Sequence, residues 1–229
     1  MNGKLYGVGV GPGDPEHMTL KALRIIRQSD VIAIPGKTKE DCVAYHIARG
    51  ACPELEGKSI LPVPMPMTKD RAKLEENHEA AAKAIEDCLR QGKQVAFLTL
   101  GDPTVYSTYL YVHRKVSAHG FDTAIVSGIP SFCAVAAKIN QGLVETSQAL
   151  HVLPGTYSTG RRDEIASLSG TKVLMKTGKN MERVRRSILE SGQDAVLVEN
   201  CGMDGETVYW GAENFPDNPS YYSLIIVKE

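Results

Sequence analysis

Short apolar runs alternate with amphipathic stretches along this chain, and the alternation itself predicts a fold class. Lys4 to Val10 is an apolar run of strand length, ending among glycines at Gly7, Gly9 and Gly11. From Thr19 to Gln28 the period changes. Leu20, Leu23 and Ile26 recur three apart with Lys21, Arg24 and Arg27 between them, which marks an amphipathic helix with Thr19 as its N-cap. Val31 to Ile34 is a second strand, closed by Pro35-Gly36. Strand, glycine loop, helix and strand in this order make a parallel crossover unit.

The pattern continues with a helix over about 41–49 and a strand near Ser59 to Val63, after which Pro62, Pro64 and Pro66 interrupt regular structure. Lys69 to Arg90 is alanine-rich and charged, with Leu74, Ala81, Ile85 and Leu89 along one face. It reads as a solvated crossover helix leading into the strand Val95 to Leu100. Tyr106 to Ala118 is predicted helical, ended by His119-Gly120. The boundary between two domains is expected between Ser117 and Asp122, giving 1–118 and 119–229. The second half then starts afresh with a strand, Thr123 to Val126, and a helix reaching Lys138. Strands follow at Leu150 to Leu153, Thr171 to Lys176 and Ala195 to Val198, with a helix from Met181 to Glu190. The end is hairpin-like, Thr207 to Trp210 and then Tyr221 to Val227. Two α/β domains with mixed sheets fit this order of elements.

Two turns stand out for their chemistry. The strand Val95 to Leu100 stops at Gly101-Asp102-Pro103, and the first strand stops at Gly11-Pro12-Gly13-Asp14-Pro15. Glycine permits a close backbone approach and proline fixes the turn. Asp102 is thereby held at the carboxyl end of a core strand, where open α/β sheets place their ligands. The two turns read as two walls of one site. They do not read as a dinucleotide loop, because the third glycine of G-x-G-x-x-G would fall on Pro12 or on Asp14. No acidic residue closes the second strand, and the lysine and hydroxyl residue of a P-loop are missing. Tyr106, Tyr109 and Tyr111 either pack a helix or line a flat ligand.

Composition narrows the partners. Lys and Arg number 26 against 27 Asp and Glu, so there is no global basic field and no nucleic-acid partner is expected. Cys42, Cys52, Cys88, Cys133 and Cys201 show no C-x-x-C spacing and the histidines no ligand spacing, so no metal and no disulfide framework is expected. No apolar run approaches the ~20 residues of a membrane span. Met1-Asn-Gly-Lys leads straight into a strand, without a signal-peptide pattern. A soluble, cytoplasmic protein is the expectation.

Gly9-Val-Gly-Pro-Gly-Asp-Pro-Glu, Leu100-Gly-Asp-Pro-Thr-Val-Tyr-Ser and Ser127-Gly-Ile-Pro-Ser occur in this order and spacing. Together they resemble the tetrapyrrole (corrin/porphyrin) methylase family over essentially the whole chain. The resemblance implies two α/β domains of that type, unlike a Rossmann methyltransferase, with S-adenosylmethionine held in a cleft between them. It also implies a tetrapyrrole substrate, S-adenosylhomocysteine as product, and a homodimer. Leu100 to Tyr111, with Ile34-Pro-Gly-Lys, is most similar to the branch that methylates C20 of precorrin-2 or its cobalt form.

Carried over by residue, the resemblance puts Pro12 against the cofactor and wraps Leu100, Gly101, Asp102 and Val105 around its methionine part. Pro130 and Ser131 would contact it from the second domain, although Pro130 stands where the family commonly has serine or threonine. Lys176 and the backbone near Cys201 would receive the adenine and ribose side. Asp102 is the candidate for accepting the proton released after methyl transfer, with turn capping as its alternative role. Lys37, Arg161 and Arg162 are candidates for the substrate's carboxylates and Tyr106 for its ring. Alternatives are a methylase acting at another tetrapyrrole carbon, a diphthine-synthase-like or ribosomal-RNA methylase, and a non-catalytic module that binds cofactor or tetrapyrrole.

Overall fold

In the computed structural model, residues 2–66, 68, 70–154, 168–177 and 180–229 are described. Compact units span Met1–Pro130 and Ser131–Glu229.

The first unit is built on five strands: β1 (Lys4–Gly9), β2 (Val31–Ile34), β3 (Ser59–Pro62), β4 (Val95–Thr99) and β5 (Asp122–Val126). They lie in the order β3-β2-β4-β1-β5, and every pairing is parallel. Strand alternation sorts the side chains to two faces. Val8, Ile32, Ile34, Ala96 and Leu98 pack with helices α1 (Leu20–Gln28) and α2 (Val43–Ala51). Leu5, Val31, Ala33, Val95 and Phe97 pack with α3 (Arg71–Arg90) and α4 (Tyr109–Ala118) on the other face. A sheet covered on both faces explains why these strands read as continuous apolar runs.

Helix α1 starts where the sequence places it, since Thr19 Oγ1 accepts from the Ala22 amide at 3.1 Å. Two expectations are corrected. Helix α4 begins at Tyr109, not Tyr106, because Tyr106 has a left-handed φ of 49° and Ser107 Oγ caps Tyr109 at 3.2 Å. The domain boundary falls after Pro130, not near 118, because β5 pairs along β1 from Lys4↔Asp122 to Val8↔Val126 and completes the first sheet.

The second unit begins with α5 (Ser131–Lys138) and contains β6 (Leu150–Pro154), β7 (Thr171–Met175), α6 (Met181–Ser191), β8 (Asp194–Glu199), β9 (Thr207–Trp210) and β10 (Ser223–Lys228). The strand order is β6-β7-β10-β8-β9, with β6 and β7 parallel and the other pairs antiparallel. Mixed pairing is thus confined to this sheet. Helix α6 covers one face through Met181, Val184 and Ile188, packed with Leu174, Leu197, Ile225 and Val227. The hairpin-like reading of the chain end is corrected too. Strand β10 lies between β7 and β8, while β9 flanks β8 on its other side. Burial decides this: Ser223 to Val227 are all buried and suit the sheet centre, whereas β9 is half exposed and suits an edge. Among the described residues no helix is long and apolar enough to cross a membrane.

Candidate active site

Parallel strands β4, β1 and β5 are neighbours, so the loops leaving their carboxyl ends emerge side by side. These loops carry the three motifs singled out in the sequence. The glycine turns after β1 and β4 are joined by a two-residue antiparallel bridge: Gly101 N donates to Gly11 O at 2.8 Å, and Gly11 N donates to Gly101 O at 3.3 Å. Both glycines have left-handed φ, 79° at Gly11 and 69° at Gly101, a conformation that disfavours other residues. The two turns thus lie against each other within the first unit.

The third loop is tied to both. Gly128 N donates to Asp102 Oδ2 at 2.9 Å, and the Thr19 hydroxyl lies 3.5 Å from the Ser127 carbonyl. The approach is close enough to require glycine. A Cβ on Gly128 would lie 2.1 Å from the Gly101 carbonyl oxygen, and one on Gly9 would lie 2.6 Å from both Gly101 O and Gly128 N. Gly101 itself is different. A Cβ there would meet only Ile129 O, at an ordinary contact distance of 3.9 Å, so this buried glycine has room for a side chain while its neighbours crowd.

Asp102 is buried at 7% exposure, and both of its carboxylate oxygens are engaged. Oδ1 accepts from Thr104 N at 2.7 Å and Thr104 Oγ1 at 2.5 Å, while Oδ2 accepts from Gly128 N. Of the two roles the sequence left open, this geometry supports holding the loops over accepting a proton. Nearby, Thr99 Oγ1 is buried at the end of β4 without a hydrogen-bond partner among the described residues.

Pro12 is buried beside Gly11, and Leu100 and Val105 are half-buried around the second turn. Pro130 ends the first unit. Tyr106 is 47% exposed and Tyr111 49%, whereas Tyr109 is fully buried against Gly7, with its hydroxyl donating to Ala124 O at 3.2 Å. The three tyrosines therefore divide: Tyr109 packs, and its phenol is pushed above the ordinary range by that burial. Lys37 is exposed on the loop after β2. Arg161 and Arg162 lie outside the described residues.

In the second unit, Ser131 is the first residue of α5. Lys176 follows β7 with a left-handed φ of 60°, and Cys201 follows β8 after Asn200, which has a φ of 51°. Non-glycine residues in this region carry strain, and such positions concentrate at functional sites. Sequence reasoning missed the partners of these segments. Gly128 and Thr104 lay inside quoted motifs without an assigned role. Glu206, which accepts from Gly202 N at 2.8 Å within the same loop, gave no signal, since its charged partner Lys138 lies in a distant stretch of chain.

A parallel sheet with three glycine-bearing loops gathered at its carboxyl end has the arrangement of those α/β proteins that bind ligands at their strand ends. The chain belongs to the Tetrapyrrole (Corrin/Porphyrin) Methylases, whose family profile matches residues 4–214. It is 36% identical to the probable cobalt-precorrin-2 C(20)-methyltransferase of Methanocaldococcus jannaschii, over 98% of this chain and 96% of that one. It is 32% identical to the precorrin-2 C(20)-methyltransferase of a Sinorhizobium species, over 98% and 95% of the two chains. Among solved structures, a cobalt precorrin-4 methyltransferase has the same fold, with a TM-score of 0.79 at 21% identity, covering 98% of this chain and 94% of that one. A uroporphyrin-III C-methyltransferase from Thermus thermophilus, solved with S-adenosyl homocysteine, matches with a TM-score of 0.71 at 20% identity, covering 99% and 98%.

Proposed function

We propose that this protein transfers a methyl group from S-adenosylmethionine to C20 of precorrin-2 or its cobalt form, a step of cobalamin biosynthesis. The observation that carries this is the hydrogen-bonded convergence of the Gly11, Gly101 and Gly128 loops, the three segments of the family resemblance, at one end of the first sheet. The printed activities of the Methanocaldococcus and Sinorhizobium relatives support the C20 position.

The cofactor fits the residues present. Gly101 leaves room where a side chain would stand, with Ile129 O the nearest atom at 3.9 Å, and two residues before it Thr99 leaves a buried hydroxyl unspent. When bound, S-adenosylmethionine supplies an electrophilic methyl on a sulfonium, and the protein's part is placement and electrostatics. In the first unit, Pro12, Leu100, Gly101, Asp102, Val105 and Pro130 are the proposed contacts. In the second, they are Ser131, Lys176 and the backbone at Cys201. Asp102 holds the second and third loops in register, so the donor meets a preformed wall. Holding two reactants in line can contribute about 7–11 kcal/mol of barrier lowering. Tyr106 would lie along the macrocycle, and Lys37, Arg161 and Arg162 would meet its carboxylate rim. A homodimer in the cytoplasm completes the reading, and sedimentation tests the dimer.

The deciding experiment incubates the protein with S-adenosylmethionine and precorrin-2, with and without cobalt. Mass gives the number of methyl groups added and NMR their position. One new methyl at C20 is expected. A methyl at another carbon overturns the C20 assignment, and binding of both ligands without turnover overturns the enzymatic reading.

A further inference from the structure

Strand β8 ends at Glu199, and the chain turns back into β9 through a loop held by backbone turns, Met203 N to Asn200 O at 2.8 Å and Glu206 N to Met203 O at 3.2 Å, and by side chains. Asn200, Gly202 and Gly205 all adopt left-handed φ, at 51°, 74° and 77°. Asn200 Nδ2 donates to Gly205 O at 3.3 Å, and Ser220 Oγ donates to Asn200 Oδ1 at 2.8 Å. Glu199 is anchored as well, accepting from Ser220 N at 2.6 Å and from the Tyr209 hydroxyl at 3.2 Å.

Inside this frame lies Glu206. One carboxylate oxygen accepts from Gly202 N at 2.8 Å and the other pairs with the Lys138 ammonium. The Cys201 side chain is hydrogen-bonded to the same carboxylate. Lys138 is the last residue of α5, and Ser131, proposed above as a cofactor contact, is the first. One eight-residue helix thus begins at one proposed cofactor residue and ends on the group that holds another.

We propose that Glu206, held by Lys138, is a positioning residue for the methyl donor, fixing the Cys201-Gly202 backbone that receives the nucleoside end. The inference rests on the reading that S-adenosylmethionine is the donor and that the Cys201 backbone meets its adenine and ribose. A loop with three left-handed residues has alternatives to relax into, and ordering it at the moment of binding would weaken affinity. A carboxylate that already accepts an amide, a thiol and an ammonium removes that freedom beforehand. Burial works against the charged carboxylate, but these three donors outweigh it and leave Glu206 below its ordinary value. Lys138 is raised above its own, by the hydrogen bond to Glu206 and by the attraction between the two charges.

The test measures S-adenosylhomocysteine binding by calorimetry for the wild type, E206A, E206Q and K138M, beside thermal unfolding and steady-state kinetics. E206A should weaken binding ~10-fold, with the loss appearing in KM for the donor and not in kcat at saturation. E206Q keeps an acceptor for Gly202 N and loses the charge, so it should fall between E206A and wild type. K138M should weaken binding ~3-fold. If E206A does not fold, E206Q and K138M carry the test. Folded variants that bind as tightly as a binding-competent wild type overturn the positioning role alone. A wild type that does not bind S-adenosylhomocysteine overturns the donor reading, and the inference with it.

Discussion

The loops that end the strands of the first sheet meet backbone to backbone, whereas the loop after β8 in the second unit adds side-chain bonds to its backbone turns. At Gly9 and Gly128 the main chains approach so closely that an added methyl group would overlap a carbonyl oxygen or an amide. After β8, Asn200 holds a left-handed backbone with its own side chain engaged, and Glu206 gathers an amide, a thiol and an ammonium. The difference teaches where each region tolerates change. Contact between backbones has no flexible partner to give way, so its requirement for glycine is close to absolute. A side-chain network can lose one member and keep a weakened form of the rest.

The sharpest break of this comparison is Gly128→Ala. The new Cβ would lie 2.1 Å from Gly101 O and 2.9 Å from the Gly9 backbone, and none of these atoms is the end of a mobile chain. Relief requires moving β1's exit or the Gly-Asp-Pro turn, which breaks the Asp102–Gly128 bond as well. A loss of about 3 kcal/mol or more in urea unfolding is expected, at the upper end of overpacking effects. A loss under about 1 kcal/mol would mean that the loops can separate freely, and the rigid-wall account would fail.

Asp102→Asn comes next in size. Asparagine offers one acceptor and one donor where the carboxylate offers two acceptors, so the amide that faces Gly128 N or Thr104 N is opposed by a donor. Leaving such a buried group unmatched costs about 1–3 kcal/mol. If Asp102 holds the loops, the variant should lose donor affinity, and Thr104→Val should reproduce part of that loss through the missing hydroxyl bond. If Asp102 were the proton acceptor, Asp102→Asn would keep donor affinity and lose kcat, with Thr104→Val near wild type. The two patterns are separable in one set of kinetic measurements.

These cases also mark what the sequence discloses and what it withholds. The ends of β1, β2 and β4 and the Thr19 cap were legible because alternation, helical period and capping are local properties. The glycine-aspartate-proline turns were legible for the same reason, since each residue type states its own backbone constraint. Membership of a sheet is not local. Nothing within Asp122–Val126 says whether it extends the first sheet or founds the second, and Ser223–Lys228 does not state that it will lie between β7 and β8. The role of Asp102 stayed divided for a related reason. One partner, Thr104, is adjacent in sequence and was readable as a turn cap, but Gly128 arrives from another strand and tips the balance. Glu206 lies on the illegible side as well, because although Gly202 is four residues away, its charged partner Lys138 meets it only in space.

The smallest effect is expected at Lys176, which follows β7 with a φ of 60°. A left-handed L-residue costs about 1–2 kcal/mol, and glycine removes that cost while adding about 0.5–1 kcal/mol of unfolded-state entropy. Lys176→Gly should therefore stabilise the fold by about 0.5 kcal/mol. If the strained turn exists to present the backbone to the nucleoside, the same variant should bind S-adenosylhomocysteine more weakly, because a more permissive glycine must be ordered on binding. Stability and affinity would then move in opposite directions. Should both rise together, the left-handed turn after β7 serves neither presentation nor fold, and the contrast with the glycine-crowded loops would narrow to the β8 loop alone.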